Sequence, residues 1–294
     1  MVALRTLSLL LSACIPAVFS LTPSPGCGTT PRLVTADSIN TPLRLSVNNK
    51  QREFFVALPE NYNSSHPYRL IFTLHALGGT ASQVIAGTGG YLPFYGLPPF
   101  LAASNDSKGA IFVAPNGLSN GWANQNGEDV AFVGAIIDAV EADLCVDQDL
   151  RFSTGFSYGG AMSYSLACSL GERIRAVAAL SGNPQISGCA SPASAPVAYY
   201  GQHGTADNVL PISGGRQMRD RFLRNNGCGT AQQESPEPAR GSGGHVKTVY
   251  QGCAEDKPVV WVAFDGSHTP TPRDAGASET WTAGEVWGFF SQFE

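Results

Sequence analysis

Beyond residue 20 the chain has no apolar run long enough to span a bilayer, so no transmembrane helix is expected there and no membrane partner. It also has no block of Lys and Arg, and its formal net charge is −5, which argues against nucleic acid or an anionic membrane surface as a partner. No Cys-x-x-Cys and no Cys/His spacing suggests a metal site, so no metal ligands are expected. Internal repeats are absent, as is any Ser/Thr/Pro-rich tether that would lead to a second module such as a carbohydrate-binding domain. The most biased stretch, residues 234–244 (ESPEPARGSGG), reads as a surface loop too short to divide two domains.

What is present begins with a leader. Arg5 supplies a positive start, residues 7–19 are apolar and uncharged, and Val18-Phe19-Ser20 offers a cleavage site before Leu21. Residues 1–20 therefore read as a signal peptide, with Pro23 and Pro25 barring a helix just beyond it. Residues 21–294 read as one domain of a secreted, extracellular protein. Removing Arg5 with the leader takes the formal net charge from −5 to −6. Of the seven cysteines, Cys14 lies in the leader; Cys27, Cys145, Cys168, Cys189, Cys228 and Cys253 remain. An even number in an oxidising compartment suggests three disulfides, and spacing alone leaves their pairing open. Asn63-Ser-Ser and Asn105-Asp-Ser are N-glycosylation sequons, whereas Asn40-Thr-Pro is excluded by its proline. With 43% hydrophobic residues over the full sequence, the chain can fill one sizeable core.

Strand and helix patterns alternate along the chain. Residues 53–58 (EFFVAL), 68–74 (YRLIFTL), 110–114 (AIFVA), 151–155, 176–180, 197–200 and 259–264 read as strands. Residues 129–144, 157–170, 214–223 and 279–290 read as helices. The alternation predicts an α/β fold: a mainly parallel central sheet with helices on both faces, stapled by disulfides. Such a sheet binds ligands at the carboxyl ends of its strands, and three of those ends carry reactive side chains.

The stretch 151–161, RFSTGFSYGGA, contains Gly155-Phe156-Ser157-Tyr158-Gly159, a G-x-S-x-G between a strand and a helix. The strand-to-helix turn is tight, and Gly155 and Gly159 remove side chains that would clash there. Ser157 then stands at a helix N-terminus, where a developing anion is favoured. His268 follows the last strand in Asp265-Gly266-Ser267-His268, and Asp207 follows the strand over 197–200 in GQHGTADNVLP. The chain order Ser157, Asp207, His268 is that of an α/β-hydrolase triad. Asp265 is a rival acid, and three residues in one loop seldom bring two side chains face to face. His203 reads as a brace for the Asp207 loop, and His66 and His245 as solvated loop residues. His75-Ala76-Leu77-Gly78-Gly79 ends the strand over 68–74 as a small, glycine-rich turn. It points to an oxyanion hole built from the backbone N–H groups of Leu77 and Tyr158, with His75 shaping the loop. Phe94, Tyr95, Trp122, Tyr158 and Trp281 are candidate walls for an aromatic acyl group. Trp122 is favoured for substrate binding because it lies in a polar loop, SNGWANQNGED.

Taken together, HALGG, APNG followed by Trp122, EDVAFV, STGFSYGGAMSY, HGTADNVLP, NNGC and DGSH resemble the fungal secreted feruloyl esterases of the C and D types, within a wider group of carbohydrate esterases and polyhydroxybutyrate depolymerases. The resemblance covers nearly the whole mature chain. It implies an α/β-hydrolase fold, the triad Ser157, Asp207 and His268, a disulfide between Cys228 and Cys253, no cofactor, and a feruloylated plant cell-wall polysaccharide as substrate. Ala76 departs from it, standing where relatives carry glycine. An acetylxylan esterase, a polyester depolymerase, a peptidase or an inactive hydrolase-fold binding protein are the competing expectations.

Overall fold

Runs such as YRLIFTL and VVWVAF carry almost only β-branched, aliphatic and aromatic side chains, so both faces of their strands must be covered. The computed structural model of the chain describes residues 21–104, 107–189, 195–229 and 236–293, and gathers these runs into a nine-stranded sheet. The expected leader over 1–20 and the sequon at Asn105 lie outside the described residues.

The strands are β1 (Leu43–Val47), β2 (Lys50–Ala57), β3 (Tyr68–Leu74), β4 (Ala110–Pro115), β5 (Val146–Phe156), β6 (Ala176–Leu180), β7 (Ala198–Gly204), β8 (His245–Val249) and β9 (Val259–Phe264). The helices are α1 (Ala81–Ala86), α2 (Leu97–Ala103), α3 (Glu128–Asp143), α4 (Tyr158–Ser169), α5 (Pro184–Ser187), α6 (Ile212–Asn225) and α7 (Thr282–Ser291). Their lateral order is β1-β2-β4-β3-β5-β6-β7-β9-β8. From β4 to β9 neighbouring strands are parallel, and β1, β2 and β8 add antiparallel edges.

Alternation along each strand splits the core into two layers. Leu70, Phe72 and Leu74 of β3 join Val133, Ile136, Ile137 and Val140 of α3 and Phe222 of α6. Ile71 joins the opposite layer with Phe152, Val84 of α1 and Val286, Phe289 and Phe290 of α7. Each large apolar side chain buried this way contributes roughly 1.5–3 kcal/mol. The result is the expected α/β sandwich.

The departures from the sequence reading lie at the edges. β5 begins at Val146 rather than at 151, because the polar segment Asp147–Asp149 is tied to residues 22 and 23: Gln148 N–H donates to Thr22 O at 2.8 Å, and Pro23 bridges to Asp147. β1 and β8 are half-exposed and interspersed with polar side chains, so neither gives a continuous apolar run. His245 is therefore not a solvated loop residue. It lies in β8, its Nδ1 is 2.7 Å from Asp274 Oδ1, and its ring stacks on Trp281 at 4.3 Å. His66 is likewise engaged, with Nε2 3.0 Å from Lys108 O and its ring edge-on to Tyr68.

Three disulfides link Cys27 to Cys145, Cys168 to Cys189 and Cys228 to Cys253. The last is the pair implied by the family resemblance. The first fastens the segment around Cys27 to the α3–β5 turn, where Gly26 fits so closely that a Cβ on it would lie 2.5 Å from Leu144 N. Two buried ion pairs flank α3: Arg52 with Asp129 at 2.6 Å, and Arg151 with Glu141.

Candidate active site

β5 runs into Ser157, which has φ 57° and ψ −113° and so lies in a region a side-chain-bearing residue rarely visits. The surroundings hold it there. Ser157 N–H donates to Leu180 O at 2.9 Å, and Ser157 O accepts Ala161 N–H at 2.9 Å. The glycines of the motif are required by contact. A Cβ on Gly155 would fall 2.5 Å from Gly159 C, and one on Gly159 would fall 2.0 Å from Leu74 O. Gly160, which the motif does not include, is equally tight against Leu180 O at 2.6 Å. The elbow thus presses α4 directly onto β3 and β6 and sets Ser157 at the N-terminus of α4.

The loop after β3 is braced from below by His75. This imidazole is fully buried; its Nδ1–H donates to Ala76 O at 2.8 Å, and its Nε2 accepts Gly117 N–H at 2.9 Å. Both nitrogens are therefore committed in the neutral tautomer, and burial pushes the His75 pKa down. Trp122 completes the brace. It is 0% exposed, donates Nε1–H to His75 O at 2.8 Å and packs on the His75 ring at 4.9 Å. Trp122 is consequently not a wall of an open substrate slot, as its polar loop suggested: its indole is one of the largest side chains sealed in the core, and it acts on the loop through His75. The APNG motif serves the same loop, since Asn116 Oδ1 accepts Ala81 N–H at 2.8 Å and Gly117 holds His75.

The side chains of Leu77 and Tyr158 approach each other across Gly121. A Cβ on Gly121 would lie 3.2 Å from both Leu77 Cδ1 and Tyr158 Cε1, so the two side chains flank one point. Among the described residues neither backbone N–H has an acceptor, while Gly78 N–H and Gly79 N–H are used by Asn120 O and Ala76 O. Ala76 keeps an ordinary φ, and its N–H donates to Tyr91 Oη at 2.8 Å; the left-handed position of the loop, φ +75°, falls on Gly78. A methyl group at 76 is therefore accommodated.

Asp207 and His268 stand on the loops after β7 and β9, which are zipped together by Thr205 N–H to Phe264 O at 2.8 Å and Ala206 N–H to Gly266 O at 3.0 Å. His268 Nδ1–H donates to Asp207 Oδ2 at 2.6 Å, and its ring lies 4.5 Å from that of Phe156, the residue before Ser157. Asp207 Oδ1 accepts Val209 N–H at 2.9 Å and Leu210 N–H at 2.8 Å. His203 Nε2–H donates to Leu210 O at 2.7 Å and lies 3.2 Å from Asp207 Oδ2. Burial pushes the Asp207 carboxyl up, but the hydrogen bonds of His203, His268 and Leu210 N–H outweigh it and hold the pKa at about 2. His203 braces the acid loop, as expected. Asp265 does not face His268; it accepts Gly243 N–H at 2.8 Å.

Beside this constellation lies a cavity of about 230 Å³ lined by Leu77, Gln83, Tyr91, Phe156 and Pro270 among others. Phe156 and Pro270 flank Ser157 and His268 in the chain. Neither was singled out by the sequence reading, although Phe156 is the variable residue of G-x-S-x-G on the strand side. Tyr91 carried no local signal at all. The expected aromatic walls Phe94 and Tyr95 are buried in the core instead. A hollow of about 560 Å³ at the opposite ends of the strands, lined by Asp147, Arg173, Arg175 and Lys257, contains no nucleophile paired with a base. Among the described residues no three His, Cys, Asp or Glu side chains converge as a metal site would need, and no helix is long and apolar enough to cross a membrane.

No family model matches the chain. It is 50% identical to feruloyl esterase D of Neurospora crassa over 295 residues, covering 99% of this chain and 97% of that protein. It is 46% identical to feruloyl esterase C of Emericella nidulans over 268 residues, covering 91% of this chain and 90% of that protein. Among solved structures it shares the fold of an acetyl xylan esterase from Aspergillus awamori, with a TM-score of 0.58 at 15% identity, covering 85% of this chain and 99% of that one.

Proposed function

The chain belongs to the feruloyl esterases of the C and D types, carboxylic ester hydrolases, and from that premise we propose that it is secreted and releases ferulate from feruloylated plant cell-wall arabinoxylan through Ser157, His268 and Asp207. The observation that carries the proposal is the hydrogen bond from His268 Nδ1–H to Asp207 on an imidazole packed against Phe156, one residue from Ser157. That bond commits one ring nitrogen as a donor and leaves Nε2 basic, on the side of the elbow.

In this mechanism His268 Nε2 takes the Ser157 proton as Oγ attacks the ester carbonyl. The carbonyl oxygen becomes an oxyanion held by Leu77 N–H and Tyr158 N–H, and the α4 N-terminus adds favourable potential. Asp207, ionised because its pKa is about 2, holds the imidazole tautomer and stabilises the imidazolium. The C–O bond to the sugar breaks, and the alcohol leaves with the proton from His268. Water, deprotonated by the same imidazole, then cleaves the acyl-enzyme and frees the acid and Ser157. The cavity, with Tyr91, Phe156 and Pro270 beside the polar Gln83, suits a hydroxylated aromatic acyl group, with room well beyond an acetyl. Secretion is supported by the three disulfides and by the exposed sequon at Asn63.

Paired initial rates on methyl ferulate and acetylated xylan, with Ser157→Ala as control, test the proposal. Rapid ferulate release abolished in the variant is the expected result. Acetate release without ferulate release would overturn the substrate, and an active Ser157→Ala would overturn the mechanism.

A further inference from the structure

A second, larger hollow begins where the cavity beside Ser157 ends. It measures about 840 Å³ and shares Gly90 and Tyr91 with the smaller one. One wall is the segment from Leu92 to Phe100, with Pro93, Pro98 and Pro99; the other is the continuation of the His268 loop, with Thr271, Arg273 and Glu279. Pro270, two residues past His268, lines the inner cavity, and Thr271, the next residue, lines the outer one. The two hollows are thus consecutive along both walls.

Their sizes assign different occupants. Pockets that enclose a whole small ligand run from about 300 to 1,000 Å³, so the inner 230 Å³ is too small for an ester of an aromatic acid with a sugar chain. The alcohol half of the substrate must lie outside it, and the outer groove is the adjoining space of sufficient size. Its lining fits a neutral carbohydrate. Leu92 and Phe100 are 38% and 40% exposed, and with the prolines they offer flat apolar surface for the C–H faces of sugar rings. Arg273 and Glu279 stand exposed at the rim with hydroxyl-binding groups, and neither pairs with another side chain among the described residues. The absence of one dominant charge suits an uncharged chain rather than an anion.

The groove wall is also fixed to the chemistry. Phe94 and Tyr95 have φ values of 47° and 60°, two consecutive left-handed residues that must be held by their surroundings. Tyr95 Oη donates to Leu74 O at 2.6 Å and accepts Phe156 N–H at 3.0 Å, while Tyr91 Oη accepts Ala76 N–H at 2.8 Å. The strained turn is therefore bolted to the ends of β3 and β5, beneath the oxyanion loop and the elbow. A groove wall so anchored keeps its distance to Ser157.

We propose that the groove between Leu92–Phe100 and Thr271–Glu279 is the subsite for the neutral pentose oligosaccharide that carries the ester. The proposal rests on the esterase reading above. Two measurements test it with the full chain and with the variants Phe100→Ala and Arg273→Gln. In the first, the ratio of kcat/KM on a feruloylated arabinoxylo-oligosaccharide to that on methyl ferulate should fall about tenfold in each variant, through KM. In the second, Ser157→Ala protein is titrated with the unesterified oligosaccharide; binding is expected, and is weakened by adding either groove variant. An unchanged ratio in both variants, or oligosaccharide binding indifferent to them, overturns the subsite. If the native chain turns over neither ester, the esterase reading falls, and the titration still decides on the groove by itself.

Discussion

The loops after β3 and after β9 each place a histidine at a strand end beside glycines, and the fold uses the two in opposite ways. His75 is fully buried, gives one nitrogen to Ala76 O and the other to Gly117 N–H, and is capped by Trp122. His268 gives one nitrogen to Asp207, keeps its side chain 12% exposed, and has no recorded partner for Nε2 among the described residues. An imidazole that uses both nitrogens cannot accept a proton without giving up a hydrogen bond, and burial makes the charged form costlier still. One that uses a single nitrogen, fixed by a carboxylate, is ready to exchange a proton at the other. Burial and partner count, rather than residue type or loop composition, separate the bracing histidine from the one we propose for proton transfer.

Mutation can break that contrast. His268→Ala should lower kcat on methyl ferulate on the order of 10⁶-fold with the thermal unfolding midpoint nearly kept. Asp207→Asn should lower kcat about 10⁴-fold, because the amide no longer selects the tautomer with a basic Nε2. His75→Ala should behave in the reverse sense. It strands Gly117 N–H and empties a buried site, so urea denaturation should show a loss of roughly 2–4 kcal/mol. Its effect on kcat should be only about 10²-fold, by loosening the Leu77 donor. A His75→Ala protein that is stably folded yet as inactive as His268→Ala would erase the distinction.

The smallest expected effect is on acid stability. The Asp207 pKa is depressed from 3.8 to about 2 in the folded chain, so its stabilising contribution is complete above the unfolded value and is lost as pH falls from about 4 toward 2. Urea midpoints of the native chain and Asp207→Asn should therefore converge between pH 6 and pH 2.5. A gap that persists undiminished at the lower pH would mean that the ionised carboxylate is not what stabilises the loop.

Much of this was legible in the residues. Seven of the nine strands and the long helices are legible, most of them because both faces of a parallel sheet are covered, which leaves runs like AIFVA and VVWVAF nearly free of polar residues. The elbow was legible because Gly155 and Gly159 have no freedom to be anything larger against Leu74 O. The antiparallel edges β1 and β8 were not, because their exposed positions carry Arg44, Ser46 and Lys247, residue types that loops also carry. Nor was Trp122: a polar loop hid an indole that turns inward to His75.

The sequence by itself determined which groups are available for chemistry and in what order: a serine between glycines, an acid and a histidine at successive strand ends, six cysteines for three bridges. These follow from local backbone demands and from periodicity, which are read within a few residues. Only the tertiary structure decided the partners. That His268 takes Asp207 and not Asp265, that Trp122 braces rather than binds, and that Tyr91 and Phe156 line the cavity depend on residues tens of positions apart. Contacts of that range are set by strand order and helix packing, and no short stretch of the chain encodes them.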